Sequence, residues 1–132
     1  MNFRVIHSHI LKADEQTTPL DVVEDIAGTQ DSPEFRTVLV ADWSRGDHTV
    51  AVITNYIDGY TNSADEKISG MTTVDVQYAW NITAGGELVL GVLNIADEDP
   101  PLDDYNDTAQ PFNSDIYGMD GRVPYVRFRW TF

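Results

Sequence analysis

Two kinds of residue in this chain could do chemistry: acids at high density and histidines on a strand. Asp97-Glu98-Asp99, followed by Asp103, Asp104 and Asp107, gather carboxylates at a density that suits a hard cation such as calcium. The spacing is not that of an EF-hand, because the turn glycine and the closing glutamate are missing. Pro100-Pro101 also stiffen the middle. Charge runs usually face water, so a solvated loop is the reading this spacing favours. His7 and His9 share a strand face, but no third metal ligand can be identified, and His48 is remote in sequence. Ser, His and Asp all occur, without a nucleophile elbow or a metalloprotease motif. No acid–base or nucleophile constellation can be placed, so the chain does not read as an enzyme and calls for no metal or other cofactor.

A stronger pattern lies in Arg122 to Phe132. Val126, Phe128, Trp130 and Phe132 share one side of an extended strand, and Tyr125, Arg127, Arg129 and Thr131 share the other. One side is apolar, the other cationic or polar. That division fits a sheet with lipid on one face and a wet lumen on the other. It also fits the last strand of a soluble β-sandwich with the aromatic side as core.

Composition narrows the classes. The 132 residues allow one domain, taken as 1–132, and 42% of them are hydrophobic, so the net charge of -14 does not mark a disordered acidic tail. There is no cysteine, which excludes a disulfide scaffold and thiolate metal sites. No run of eighteen or more apolar residues is present, so no transmembrane helix is expected. No basic, then apolar, then small-residue leader opens the chain, and Phe3-Arg4-Val5-Ile6 reads as a strand already under way. The acidic balance argues against nucleic acid and anionic head groups as partners.

The acids cluster. Eighteen of the 22 fall within residues 13–34, 58–69 and 96–121. Between these lie segments rich in β-branched and aromatic residues. Strands are predicted over 3–12, 35–43, 48–57, 73–81, 87–95 and 122–132. Phe35, Thr37, Leu39, Ala41 and Trp43 share a face, opposite Arg36, Val38, Val40 and Asp42. Val74, Val76, Tyr78 and Trp80 share a face, opposite Thr73, Asp75, Gln77, Ala79 and Asn81. Asp75 and Gln77 would be costly in a dry core, so their face is expected to be wet. Ser44-Arg45-Gly46-Asp47 and residues 82–86 read as short turns. Residues 13–34, 58–72 and 96–121 read as long loops, with a possible helical turn at 20–26 in the first.

The fold class is therefore all-β: an antiparallel up-and-down meander of about six strands, each roughly nine or ten residues, the length that spans a bilayer at a strong tilt. Connections alternate long, short, long, short, long. Outer-membrane barrels put every long loop at one end; soluble sandwiches have no reason to. The meander is thus expected to be a segment of a transmembrane β-barrel touching outer-membrane lipid. Trp43, Trp80 and Trp130 fall near the short-turn ends, as an aromatic girdle at the membrane interface would. Sugar stacking in a lectin groove would instead want aromatics near the long loops. Arg36, Asp42, Asp75, Gln77, Arg127 and Arg129 are expected to line the lumen, with ion pairing across neighbouring strands as the simpler account of their charges.

Several stretches also carry a family resemblance. Gly91-Val92-Leu93-Asn94-Ile95-Ala96-Asp97-Glu98-Asp99-Pro100-Pro101 resembles the "GVxNLFDExPP" stretch near the C-terminus of TonB-dependent outer-membrane receptors. Gly121-Arg122-Val123-Pro124-Tyr125 through Phe132 resembles their closing "GRxYYVxxxxxF" strand. Ile26-Ala27-Gly28-Thr29, Pro33-Glu34-Phe35-Arg36 and Asn55-Tyr56-Ile57-Asp58-Gly59-Tyr60 match in order and spacing, so the resemblance covers nearly the whole chain. Ala96 departs from it, standing where the family usually has Phe.

The resemblance implies a large receptor barrel of about 22 strands filled by a plug, located in the bacterial outer membrane and driven by TonB. Such receptors import a small-molecule ligand: a siderophore, cobalamin or carbohydrate. The chain corresponds to the last six strands or so and includes no plug, TonB box or signal peptide. It is therefore expected to be a C-terminal segment that does not transport alone. Val126, Phe128, Trp130 and Phe132 resemble the signal read by the barrel assembly machinery, which fits edge-strand pairing with alternating apolar side chains. In the intact family the lumen residues could contact plug or substrate. The rival class is a soluble β-sandwich carbohydrate-binding module, which needs Val74, Val76, Tyr78 and Trp80 inside a core.

Overall fold

Side chains on successive strand residues point to opposite faces, so each period-2 segment has to pair with another to satisfy its backbone. The computed structural model describes residues 1–16, 22, 24–30, 32–83, 85–106 and 108–131, and among these there is no helix. The strands are β1 (Asn2–His9), β2 (Asp14–Glu15), β3 (Glu24–Asp25), β4 (Phe35–Arg45), β5 (His48–Ile57), β6 (Tyr60–Thr61), β7 (Lys67–Ile68), β8 (Met71–Thr83), β9 (Gly86–Leu93) and β10 (Val123–Trp130). Six of them form one antiparallel sheet in the order β1–β4–β5–β8–β9–β10. Each long strand therefore lies beside the next long strand in the chain, the expected meander. The pairs β2–β3 and β6–β7 are two-residue ladders outside it.

Register carries the two-sided pattern across the whole sheet. Phe3 lies opposite Ala41, Ala41 opposite Val52, Val52 opposite Val76, Val76 opposite Val92, and Val92 opposite Pro124. One step away, on the other face, Asn2 lies opposite Asp42, Asp42 opposite Ala51, Ala51 opposite Gln77, Gln77 opposite Gly91, and Gly91 opposite Tyr125. The face assignments read from the sequence for β4 and β8 hold.

Several boundaries move. β1 stops at His9 rather than 12, and β8 runs past both predicted ends. β9 starts at Gly86, inside the predicted turn, because an irregularity between Asn81 and Thr83 shifts the register there. Ile95 leaves the strand because Asn94 adopts a left-handed φ of 46° and turns the chain. In the first long loop, Glu24 and Asp25 are extended and paired with β2, where a helical turn was expected. The remaining part of that turn, at Leu20, Asp21 and Val23, lies outside the described residues, as do Asp31, Asp107 and Phe132. The 58–72 loop contains the β6–β7 hairpin.

The short turns, Arg45–His48 and Thr83–Gly86, lie at one end of the sheet and the long connections at the other. Gly46 supplies the positive φ of 58° that the first short turn needs. The buried apolar cluster is Tyr60, Met71, Phe112, Ile116 and Tyr117, with Ile57 and Ile68 packed on it, so it sits under the long loops. Among the described residues no second sheet covers the apolar face, on which Val126 remains 70% exposed and Phe128 59%. β1 and β10 are the sheet's two edges, and among the described residues the sheet does not close on itself.

Candidate functional site

The apolar face is bounded at both ends by rings. At the short-turn end, Trp43, Trp80 and Trp130 all lie on it, as their registers with Val50, Leu88 and Gly86 require. His48 packs flat between Tyr78 and Trp80, with ring centroids 5.9 and 6.0 Å away, and shares a 2.7 Å hydrogen bond with the Tyr78 hydroxyl. Phe128 and Trp130 stack at 6.2 Å. At the long-loop end, Phe35 lies 5.6 Å from Tyr56 and 5.6 Å from His7, with His9 at 6.1 Å. This second ring group was missed in the sequence because His7 and His9 were weighed as ligands, not as neighbours of Phe35. Among the described residues no three His, Asp or Glu side chains gather as a metal site would need.

Val126, Phe128 and Trp130 stand exposed on the edge strand β10. The fourth member of that set, Phe132, lies outside the described residues.

On the opposite face are Arg36, Asp42, Asp75, Gln77, Arg127 and Arg129, as their sequence parity demands. Cross-strand ion pairing accounts for only part of their charge. Arg129 meets Glu87, its partner on β9, at 3.1 Å, and both are solvent-accessible, so the pair is worth roughly 0–1 kcal/mol. Asp42 instead accepts from the Asn2 amide at 2.8 Å. Asp75 accepts from Asn55 at 3.3 Å and from the Asn94 backbone N–H at 2.9 Å. Amide donors take the place of arginine because β1 and β5, the strands that reach these acids, present asparagine there. Tyr125 lies across Gly91, where an added Cβ would fall 2.3 Å from the ring, and its hydroxyl donates to Gln77 at 2.9 Å. One side chain thus ties β10 to β9 and β8.

The two C-terminal stretches singled out in the sequence meet in space. Asn94 closes its own turn: its side-chain oxygen accepts from Glu98 N–H at 3.0 Å and its amide donates to Glu98 O at 2.9 Å. Asp97, at φ 60°, accepts the Arg122 backbone N–H at 2.7 Å, and the Arg122 guanidinium donates to Ile95 O at 2.9 Å. The acid run 97–99 therefore begins as a turn that receives the start of β10. The earlier stretches also touch, since Thr61 N–H donates to Gly28 O at 2.8 Å and Asp58 N–H to Phe35 O at 3.0 Å.

Asp97, Glu98, Asp99 and Asp104 are exposed, as a solvated loop requires, but Asp103 departs from that expectation: it is 2% exposed. Tyr60 donates to its Oδ2 at 2.6 Å, and Asn62 and the Tyr105 N–H donate to its Oδ1 at 2.9 and 3.0 Å. Burial alone would raise its pKa, but the hydrogen bonds from Tyr60, Asn62 and Tyr105 outweigh it and hold the carboxyl below its ordinary value. Nothing local in Pro101-Leu102-Asp103-Asp104 marks the first acid as buried; its side-chain partners, Tyr60 and Asn62, lie some forty residues away.

Burial, and then the nearby Asp58, pushes the Tyr117 hydroxyl up to about 12, and burial with the bond to Asp103 raises Tyr60 as well. A phenol whose pKa rises on folding stabilises the fold fully below its unfolded value of roughly 10 and loses that contribution as pH climbs through the folded value. Ultraviolet titration should therefore find three of the six tyrosines, Tyr56, Tyr60 and Tyr117, ionising late, together with opening of the loop cluster above about pH 12. Six tyrosines titrating together near the ordinary value would contradict the burial.

Comparison with models of known families, with curated proteins and with solved structures gave no match to this chain.

Proposed function

We propose that this chain is the C-terminal wall segment of a TonB-dependent outer-membrane receptor, a barrel that takes up a siderophore, cobalamin or carbohydrate, and that the segment does not transport by itself. The observation that carries the reading is the uncovered apolar face running through all six strands, backed by a polar face and bounded by rings at both ends. From Phe35 to Trp43 is eight steps of roughly 3.4 Å, about 27 Å along the strand. A tilt of ~35–45° brings that to about 20 Å of height, near the ~25 Å apolar band of outer-membrane barrels. Tryptophan at the short-turn end fits the interface preference of that side chain and not a sugar groove among the loops. The ordered motif resemblance, and the contacts its stretches make with one another, favour this barrel family over others.

The open sheet fits a segment. Edges β1 and β10 each present a row of backbone N–H and C=O groups, and each unsatisfied one costs several kcal/mol in hydrocarbon. The rest of the barrel supplies the missing strands.

The chain has no cysteine, so single cysteines can be introduced directly. Fluorophores at positions 52, 76 and 90 should be quenched by spin-labelled lipid in vesicles, and those at 51, 77 and 127 by aqueous iodide. A lipid-free, monodisperse monomer with cooperative unfolding, in which both sets report the same medium, would overturn the membrane reading. The receptor assignment has its own test: the upstream reading frame should encode a plug and a signal peptide, and an unrelated gene with its own promoter there would rule it out.

A further inference from the structure

Two clefts open among the long loops. One, of about 380 Å³, is lined by Glu34, Asp58, Tyr60 and Lys67 among others; the second, of about 300 Å³, by Asp25, Asn62 and Asp65 among others. Tyr60 and Asn62 are two residues apart, so their side chains leave the chain on the same side and one group can hold both. That group is Asp103, supplied by the third long loop.

We infer that Asp103 is a latch that clips the 94–122 loop onto the β6–β7 hairpin and thereby sets the shape of both clefts together. Its partners are a phenol, an amide and a backbone N–H, all neutral. A buried carboxylate held this way is tolerable only while the donors stay in place, because losing one leaves charge undersolvated. The apolar cluster of Tyr60, Phe112, Ile116 and Tyr117 holds the same two segments together, so losing Asp103 loosens the loop without detaching it. The same loop is tied to the first one separately, by the Asn113 amide, which donates to Gln30 O at 2.6 Å. This inference rests on the proposed function only for its meaning: in a receptor, these clefts face the solute outside the cell.

The test is hydrogen exchange on the full chain in detergent or vesicles. Asp103→Ala should raise exchange over residues 60–67 and 103–117 at least ten-fold, with β5, β8 and β9 amides unchanged. Tyr60→Phe should do the same to a smaller degree, and Asp103→Asn should fall between wild type and Asp103→Ala. Unchanged loop exchange in Asp103→Ala would overturn the latch. So would loss of protection in loops and sheet together, which would make Asp103 part of one global unit. Sheet amides equally protected without detergent would sink the membrane reading and leave the latch result standing.

Discussion

Val52→Arg is expected to lower the folding free energy in lipid vesicles by about 2–4 kcal/mol, while Ile53→Arg, one residue along, changes it by roughly 1 kcal/mol or less. The two positions are neighbours on a central strand, differing in the face they occupy. Val52 lies in the row of Phe3, Ala41, Val76 and Val92, near the middle of the apolar band. Ile53 lies opposite Asp75, where an added guanidinium finds water and a carboxylate. Denaturant titration of tryptophan fluorescence from vesicles measures both. A soluble sandwich with the apolar face as core would also penalise Val52→Arg, but in water and without lipid. Equal costs at 52 and 53 would remove the distinction between faces on which the proposed function stands.

Gly91→Val should be the most damaging small substitution on the polar face. The new Cβ would fall 2.3 Å from the Tyr125 ring, so the ring must swing away and give up its 2.9 Å bond to Gln77. Overpacking costs about 1–3 kcal/mol and the lost hydrogen bond about 1, for a total of roughly 2–4 kcal/mol. The mechanism predicts strong coupling: in a Tyr125→Ala background the valine should add little. If Gly91→Val costs as much without the ring as with it, the clash is not the cause. The edge strand β10 is the element at stake, because Tyr125 is what anchors it two strands deep.

Legibility in the sequence followed the range of the forces involved. β4 and β5 came out at or near their predicted bounds because alternation and a glycine turn are local signals. Asp75 and Gln77 were recognisable as wet-face residues because an acid inside an apolar alternation has only one side to go to. The loop cluster was not legible. Asp103 meets Tyr60 and Asn62 across three intervening strands, and no periodicity within 96–121 reports that contact. The hairpin β6–β7 hid for a related reason: two-residue strands carry no alternation to detect. Asp42 and Asp75 were expected to pair with arginine, yet register brought asparagine amides to them, and register is invisible until the turns are placed.

Because the long connections share one end of the sheet and hold fifteen of the described acids, the described residues are electrically lopsided. Mobile cations gather at that end, and a positively charged solute is concentrated there before any specific contact forms. With a Debye length of about 8 Å in physiological salt, this bias fades within a few water layers. Ionic strength thus sets how near an anionic compound can come to this end of the sheet.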